Sequence, residues 1–310
     1  MNPGGADSAQ RRILAVHPGA LGDVVLFGHL LGELDGEVTL VAGGEKARLL
    51  AGLGVCARAL DFDALPMHEL MGDAPPDGCR LPALLGEHDR VVSCFGGDGL
   101  RLAAMCGASD AVVLPVRPPP DANGHLLDLW ADLLGLSAVR VDEPWPVPPS
   151  WPQGAREALQ AAGVDADHPY VAVHPGAGAP AKCWPGENFT RLAQGPPGDT
   201  QAVVILGPVE AERGPAASAF EPAAVLQSPS LDVLAGVLGG AAGYVGNDSG
   251  VSHLAAAVGA PTVALFGATR AEQFAPRGPR VRTLQVAALA NLPVGQVSAA
   301  LAEVMSSSGA

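Results

Sequence analysis

The chain predicts an α/β protein made of two Rossmann-like domains with parallel sheets. Three observations carry that expectation. Short apolar segments bounded by turn residues alternate with helical stretches along the whole length, as in strand–helix–strand units. The hexapeptide Ala-Val-His-Pro-Gly-Ala occurs at 15–20 and again 157 positions later. The composition is 48% hydrophobic but only 4% aromatic, with 40 glycines and 29 prolines in 310 residues, which suits small-residue packing and many turns.

In the first half, strands are expected at 13–17, 37–42, 90–94 and 111–114, and helices at 22–33, 46–53, 99–105 and 124–134. In the second half, strands are expected at 171–174, 202–206, 244–245 and 262–266, and helices at 187–193, 210–219, 230–239, 251–258 and 294–305. The stretch 141–152, VDEPWPVPPSWP, is rich in proline and reads as the linker, which divides the chain into domains 1–150 and 151–310. The repeated hexapeptide has two readings. It is either a buried strand running into a turn, met twice by chance, or the opening strand of two equivalent domains that bring their turns to one cleft. About ten residues at the N-terminus and the Ser-Ser-Ser-Gly-Ala tail read as disordered.

Composition also bounds function. A formal charge of −14 argues against nucleic acid as the main partner. The five cysteines are scattered without metal-ligand spacing, so neither structural zinc nor a disulfide frame is expected, and a cytoplasmic location fits. No apolar run reaches the roughly 20 residues of a membrane span, and no signal peptide is read at the N-terminus.

Three turns carry candidate chemistry. In Asn247-Asp248-Ser249-Gly250 a strand hands over to a helix. Asp248 and Ser249 are N-cap residue types, Gly250 allows close backbone approach, and free amides at a helix start suit a phosphate. His253, one turn on, either faces the same ligand or packs as a core histidine. The turn from His17 to Asp23 has glycines at 19 and 22, and Asp23 opens a helix with Val24, Val25, Phe27, Leu30 and Leu31 on its apolar face. Asp23 is either a general base or a first-turn carboxylate complementing the helix dipole. The loop from His174 to Pro185 has glycines at 176 and 178 and carries Lys182, one of only two lysines, beside Trp184. A point charge among loop amides suits a phosphate, and the alternative is a solvated surface lysine. Glu210 and Glu212 follow a strand where a ribose-binding carboxylate would stand, or serve as first-turn helix carboxylates. Neither G-x-G-x-x-G nor a P-loop motif occurs.

Taken together, GALGDVV (19–25), HPGAGAPAKCWPGENFTRLA (174–193) and VGNDSGVSHLAAAVGAPTVALFGAT (245–269) resemble the glycosyltransferase family 9 heptosyltransferases, which add heptose to the inner core of lipopolysaccharide. The likeness runs from about residue 13 to about 278 and includes GHLLDLWADLLGL at 124–136. It implies a GT-B fold, with an N-terminal acceptor domain and a C-terminal donor domain. It implies inverting, metal-independent transfer of heptose or a related sugar from an ADP-sugar to a hydroxyl, with no cofactor beyond the nucleotide-sugar co-substrate. The acceptor would be the lipopolysaccharide inner core or a related glycan, with at most peripheral contact with the inner membrane.

Carried over by position, Asp23 is the expected base and Lys182 the expected phosphate contact. Asn247, Asp248, Ser249, Gly250 and His253 form the expected donor loop, and Glu210 or Glu212 meets the ribose. Gly19, Gly22, Gly176 and Gly178 shape the cleft loops. Arg101 and His125 are acceptor candidates, and Arg48, Arg80 and Arg117 are the other cations available to an acceptor. The chain departs from the family pattern in its His-Pro-Gly-Ala first turn, in the scarcity of hydroxyl residues in the donor loop, and in its acidity. Two other readings share the fold: a nucleotide-sugar epimerase and a non-catalytic nucleotide-sugar binder.

Overall fold

The computed structural model describes residues 10–71, 76–95, 99–119, 122–213 and 217–307. Of the stretches read as disordered, 1–9 and 308–310 lie outside these residues. The last helix, Val294–Ser306, runs one residue into the serine tail, where the Ser306 hydroxyl donates to the Ala302 carbonyl at 2.8 Å.

Two parallel sheets organise the chain. The first contains β1 (Arg12–Val16), β2 (Glu37–Ala42), β3 (Arg58–Asp61), β4 (Arg90–Ser93) and β5 (Asp110–Val113), in the order β3-β2-β1-β4-β5. The second contains β6 (Tyr170–His174), β7 (Gln201–Leu206), β8 (Ala224–Gln227), β9 (Gly243–Asn247), β10 (Thr262–Phe266) and β11 (Val281–Gln285), in the order β11-β10-β9-β6-β7-β8. Both orders reverse beside the opening strand, between β1 and β4 and between β6 and β9. β1 and β6 each carry one copy of the repeated hexapeptide into their turn, so the repeat marks equivalent positions in two Rossmann-like units.

Central strands are apolar on both faces because helices cover both. In β1, Leu14 and Val16 face an outer layer with Leu81, Leu85, Leu102 and Met105, while Ile13 and Ala15 face inward. In the second sheet, Val171, Val173, Val204 and Leu265 pack outward on Trp184, Phe189 and Leu301. Between the sheets runs one continuous apolar layer, which joins Val24, Phe27 and Leu30 of the front lobe to Leu254, Ala255 and Ala257 of the rear lobe.

The expected apolar face of helix Leu21–Leu31 therefore proves too narrow. Leu26, Gly28 and His29 are buried as well, because a second lobe covers the side that a lone domain would leave wet. The lobes are also stitched by hydrogen bonds from Trp145 N–H to the Ala257 carbonyl at 2.7 Å and from Gln273 to the Ala122 carbonyl at 3.1 Å. An ion pair between Arg277 and Asp128 adds a third tie at 2.9 Å.

The structure corrects several element expectations. Three of the four edge strands, β3, β8 and β11, were not anticipated. Each is short or polar, and it becomes a strand because a neighbour offers an unpaired ladder. Helix Trp151–Ala161 begins inside the expected linker, while 141–150 holds no helix or strand. Its fully buried stripe is only Ala155 and Leu159, seated on helix Leu231–Gly239, and so shows little periodicity in sequence. The helix expected at 210–219 is instead Pro208–Arg213 followed by a 3-10 turn at Ala217–Phe220. The short helices Leu81–Leu85 and Ala271–Phe274 were also not anticipated.

Burial leaves an electrostatic signature. Burial pushes His17, His29, His125 and His253 down from the ordinary 6.5 to about 4. These rings are neutral in the folded chain but take up protons near pH 6.5 when unfolded. Between pH 6.5 and 4 the unfolded state thus binds more protons, and stability falls as pH drops through that window, by up to about 3 kcal/mol per histidine. Melting temperature followed by calorimetry should be level above pH 7 and fall steeply from pH 6.5 to 4. A flat profile would contradict this burial.

Candidate active site

Rossmann-like sheets present ligands at the carboxyl ends of their strands, beside the reversal of strand order. Here the two reversals face each other. The turn after β1 meets the loop after β6 and the turn after β9 across a cleft of about 740 Å³. Ala20, Gly22, Asp23, Leu26, Val116 and Arg117 line it from the front lobe. Gly178, Lys182, Asp248, Ser249, Gly250 and His253 line it from the rear lobe, together with Thr269, Arg270, Gln273 and Phe274.

Asp23 is the third residue of helix Leu21–Leu31, and its Oδ2 accepts the Ala20 N–H at 3.3 Å. Burial raises its carboxyl above the usual carboxylate range. The Ala20 hydrogen bond and the charges of Lys182 and Arg117 pull it back, and Asp248 pushes the same way as burial. Gly19, at the start of this turn, must be small. A Cβ on Gly19 would lie 2.5 Å from His17 Cε1 and 3.1 Å from Asp23 Oδ2.

On the rear wall the Lys182 ammonium donates to Asp248 Oδ2 at 2.6 Å, which holds the cation at the cleft. Ser249 caps helix Gly250–Ala257, with its hydroxyl accepting the Ser252 N–H at 3.4 Å. The Gly250 and Val251 amides have no acceptor among the described residues, and Ser249 and Gly250 line the cleft at the positive end of the helix dipole. His253 is buried and neutral, and its Nδ1 has no hydrogen-bond partner among the described residues.

Asn247 takes a different place from the one expected. Its Oδ1 accepts the Trp184 N–H at 2.9 Å and its Nδ2 donates to the Pro175 carbonyl at 2.7 Å. It is fully buried and clasps the 175–184 loop from behind, so it shapes the wall without lining it. Glu210 is likewise off the cleft lining. Its Oε2 accepts the Gly207 N–H at 3.0 Å, and its carboxyl rests against Gly176, where a Cβ would collide with it. The Glu212 side chain lies outside the described residues.

The two acceptor candidates are not brought into the cleft. Arg101 donates to the Glu69 carbonyl from Nη2 at 2.9 Å and from Nε at 3.3 Å. His125 caps helix Leu126–Leu134, where its Nδ1 accepts the Leu127 N–H at 3.1 Å. Its Nε2–H donates across the lobes to the Ala275 carbonyl at 2.9 Å. Both ring nitrogens of His125 are thus committed to structure. Of the four arginines considered for an acceptor, Arg117 alone lines the cleft. Arg270, Thr269 and Gln273 were missed. Thr269 ends the stretch 245–269 and Arg270 and Gln273 follow it without a motif of their own, and only the sheet order shows that they abut the site. Among the described residues, no group of three or more His, Cys, Asp or Glu side chains is placed to hold a metal ion.

Two Rossmann-like lobes facing each other across one such cleft form the GT-B arrangement. Residues 127–298 match the family described as glycosyltransferase family 9 (heptosyltransferase), and the chain belongs to that family. Lipopolysaccharide heptosyltransferase 1 of Pseudomonas aeruginosa is 36% identical over 128 residues, which cover 40% of this chain and 36% of that protein. The match thus spans little more than a third of that relative's length. The fold is that of a family 9 glycosyltransferase from Veillonella parvula, with a TM-score of 0.78 at 18% identity, covering 95% of this chain and 97% of that one. It is also that of E. coli heptosyltransferase WaaC with ADP, with a TM-score of 0.66 at 20% identity, covering 94% and 99%.

The contact between the lobes at the cleft floor can be tested. A Cβ on Gly250 would lie 2.7 Å from Leu21 Cβ and 2.8 Å from the Gly22 backbone nitrogen, whereas one on Gly178 meets nothing within 4 Å. Gly250→Ala should destabilise the protein by about 1–3 kcal/mol through overpacking. Gly178→Ala should leave the melting temperature unchanged. Equal melting temperatures for the two variants would mean that the helix ends do not touch.

Proposed function

We propose that this protein transfers heptose or a related sugar from an ADP-sugar to an acceptor hydroxyl, with inversion at the anomeric carbon and without a metal or cofactor. The observation that carries this reading is the meeting of Asp23 from one lobe and Lys182 from the other in one cleft. Residues 1–150 hold the acceptor and residues 151–310 hold the donor. Asp23 takes the proton of the attacking hydroxyl as the new glycosidic bond forms, and the bond to the nucleotide diphosphate breaks on the opposite face. Burial raises the Asp23 carboxyl, which makes it a stronger base than an ordinary carboxylate, as general-base chemistry favours.

The departing diphosphate gathers negative charge beside Lys182 and the first-turn amides of helix Gly250–Ala257. Preorganised donors of this kind are each typically worth about 2.7–4 kcal/mol. Asp248 keeps the ammonium in place. Arg117 brings a cation from the front lobe to the cleft of a chain whose net charge is −14, which supports an anionic glycan such as the lipopolysaccharide inner core as acceptor, while Arg270 on the rear wall is paired with Glu272 at 2.7 Å. No helix among the described residues is long and apolar enough to cross a membrane. A cytoplasmic location with peripheral contact at the inner membrane belongs to the same proposal.

Asp23→Asn should cut transfer by at least about 100-fold while ADP-sugar affinity by calorimetry stays the same. Near-normal turnover would remove Asp23 from the role, and conversion of the sugar nucleotide without acceptor would point to an epimerase. Lys182→Ala should weaken ADP-sugar binding, and unchanged affinity would count against the phosphate contact. Because the base must be ionised, kcat/KM should fall as pH drops through the raised carboxyl of Asp23. The acid limb should sit above the ordinary carboxylate range, and it should move higher in Lys182→Ala, where a charge that lowers it is lost.

A further inference from the structure

The second of the chain's two lysines lies outside the chemistry above. Lys46 opens helix Lys46–Gly52, an end of a helix where the dipole disfavours a cation. Its ammonium is nevertheless held there, half-buried, donating to the Gly19 carbonyl at 2.6 Å across 27 residues. That carbonyl belongs to the same planar peptide unit as the Ala20 N–H, which donates to Asp23 Oδ2. The Gly19 N–H on the other side of the residue donates to His17 Nδ1 at 3.1 Å. The Gly19–Ala20 peptide is thus gripped at its oxygen by a cation and aimed by its N–H at the carboxylate.

We propose that Lys46 is a positioning residue for the transfer reaction, acting on Asp23 through the Gly19–Ala20 peptide; this rests on the reading of Asp23 as the base. A peptide bond is flat, so fixing its oxygen fixes the direction of its N–H. A cation on the oxygen also polarises the amide and strengthens the bond the N–H makes. The neighbourhood supports a placed cation. Asp63 and Lys46 border the same residue, since a Cβ on Gly43 would be 3.2 Å from Asp63 Oδ2 and 3.5 Å from the Lys46 ammonium. The buried His17 ring is held neutral by burial and then by Lys46 itself, so the cation meets no second charge from that side. Asp23 in turn faces Lys182, Arg117, Asp248 and the buried Cys94 thiol, none of which touches the Gly19 carbonyl.

The Ala20 hydrogen bond lowers the Asp23 carboxyl, so loosening the peptide raises it. Carbon-13 NMR titration of the full chain reads this directly, with the Asp23 carboxyl signal assigned by its loss in Asp23→Asn. Lys46→Met should move the Asp23 midpoint upward. It should also lower kcat roughly 10- to 100-fold, the scale of a misplaced catalytic group, with ADP affinity unchanged. Lys46→Arg, which keeps a charged donor, should hold the midpoint near the wild-type value. A midpoint unmoved in Lys46→Met, or moved equally in Lys46→Arg, would overturn the proposal. If Lys46→Met does not bind ADP and has not folded, Lys46→Gln replaces it under the same criteria. Failure of the base assignment would appear separately, as full activity in Asp23→Asn, while the titration needs no substrate at all.

Discussion

Two buried helices pack together at their starts, at Gly22 and Gly250, where a Cβ on Gly250 would collide with Leu21 and Gly22 and one on Gly22 would lie 3.0 Å from the His253 ring. Helices Leu21–Leu31 and Gly250–Ala257 both start at the cleft, one from each lobe, and both are enclosed by the apolar layer between the sheets. Their starting ends carry the unpaired amides and the positive dipole ends of two helices. Such ends repel one another unless something negative lies between or near them. Asp23 and Asp248 supply that charge from the protein, with Asp248 in turn paired to Lys182. The close approach therefore makes the site and dictates its charge pattern together.

That constraint orders the rest of the polar structure. Asn247 clasps the rear loop, so that Lys182 arrives opposite Asp23. Tyr244 and Ser252 share a hydrogen bond at 3.0 Å under Ser249, and Ser252 also donates to the Asn247 carbonyl at 2.5 Å. These hydroxyls fix the helix start without entering the cleft. On the front side, His17 packs among Phe27 and Trp130 while its Nδ1 receives the Gly19 N–H. The identical strand-end histidine of the rear lobe, His174, instead donates from Nδ1 to the Ile205 carbonyl at 2.9 Å. One repeated motif thus serves two local networks, because the strands beside it differ.

Much of this was legible in sequence, for identifiable reasons. Central strands such as β1 and β6 are continuous apolar runs, because helices cover both faces of a parallel sheet. Asp23, Lys182, Asp248, Ser249, Gly250 and His253 sit in compact turns whose residue types announce a strand-to-helix handover. The edge strands β3 and β11 escaped notice because they are partly exposed and carry charged residues. The same logic hid Arg270 and Gln273, which reach the cleft only because β10 lies beside β9. His125 looked like a ligand contact, since a histidine opening a helix reads the same whether its ring faces a cleft or, as here, a carbonyl of the other lobe.

The sequence by itself determined the two-unit α/β plan, the strand-end turns and the residues within them, because backbone periodicity, capping and glycine freedom act over a few neighbouring residues. Only the tertiary structure decided which turns face each other, which polar residues are structural and where Lys46 reaches. Those outcomes depend on contacts between positions far apart in the chain, such as Lys46 with Gly19 and Trp184 with Asn247. Local pattern carries no record of such pairings, since the same side chain satisfies the same local rules whether its partner is water, a ligand or a distant carbonyl.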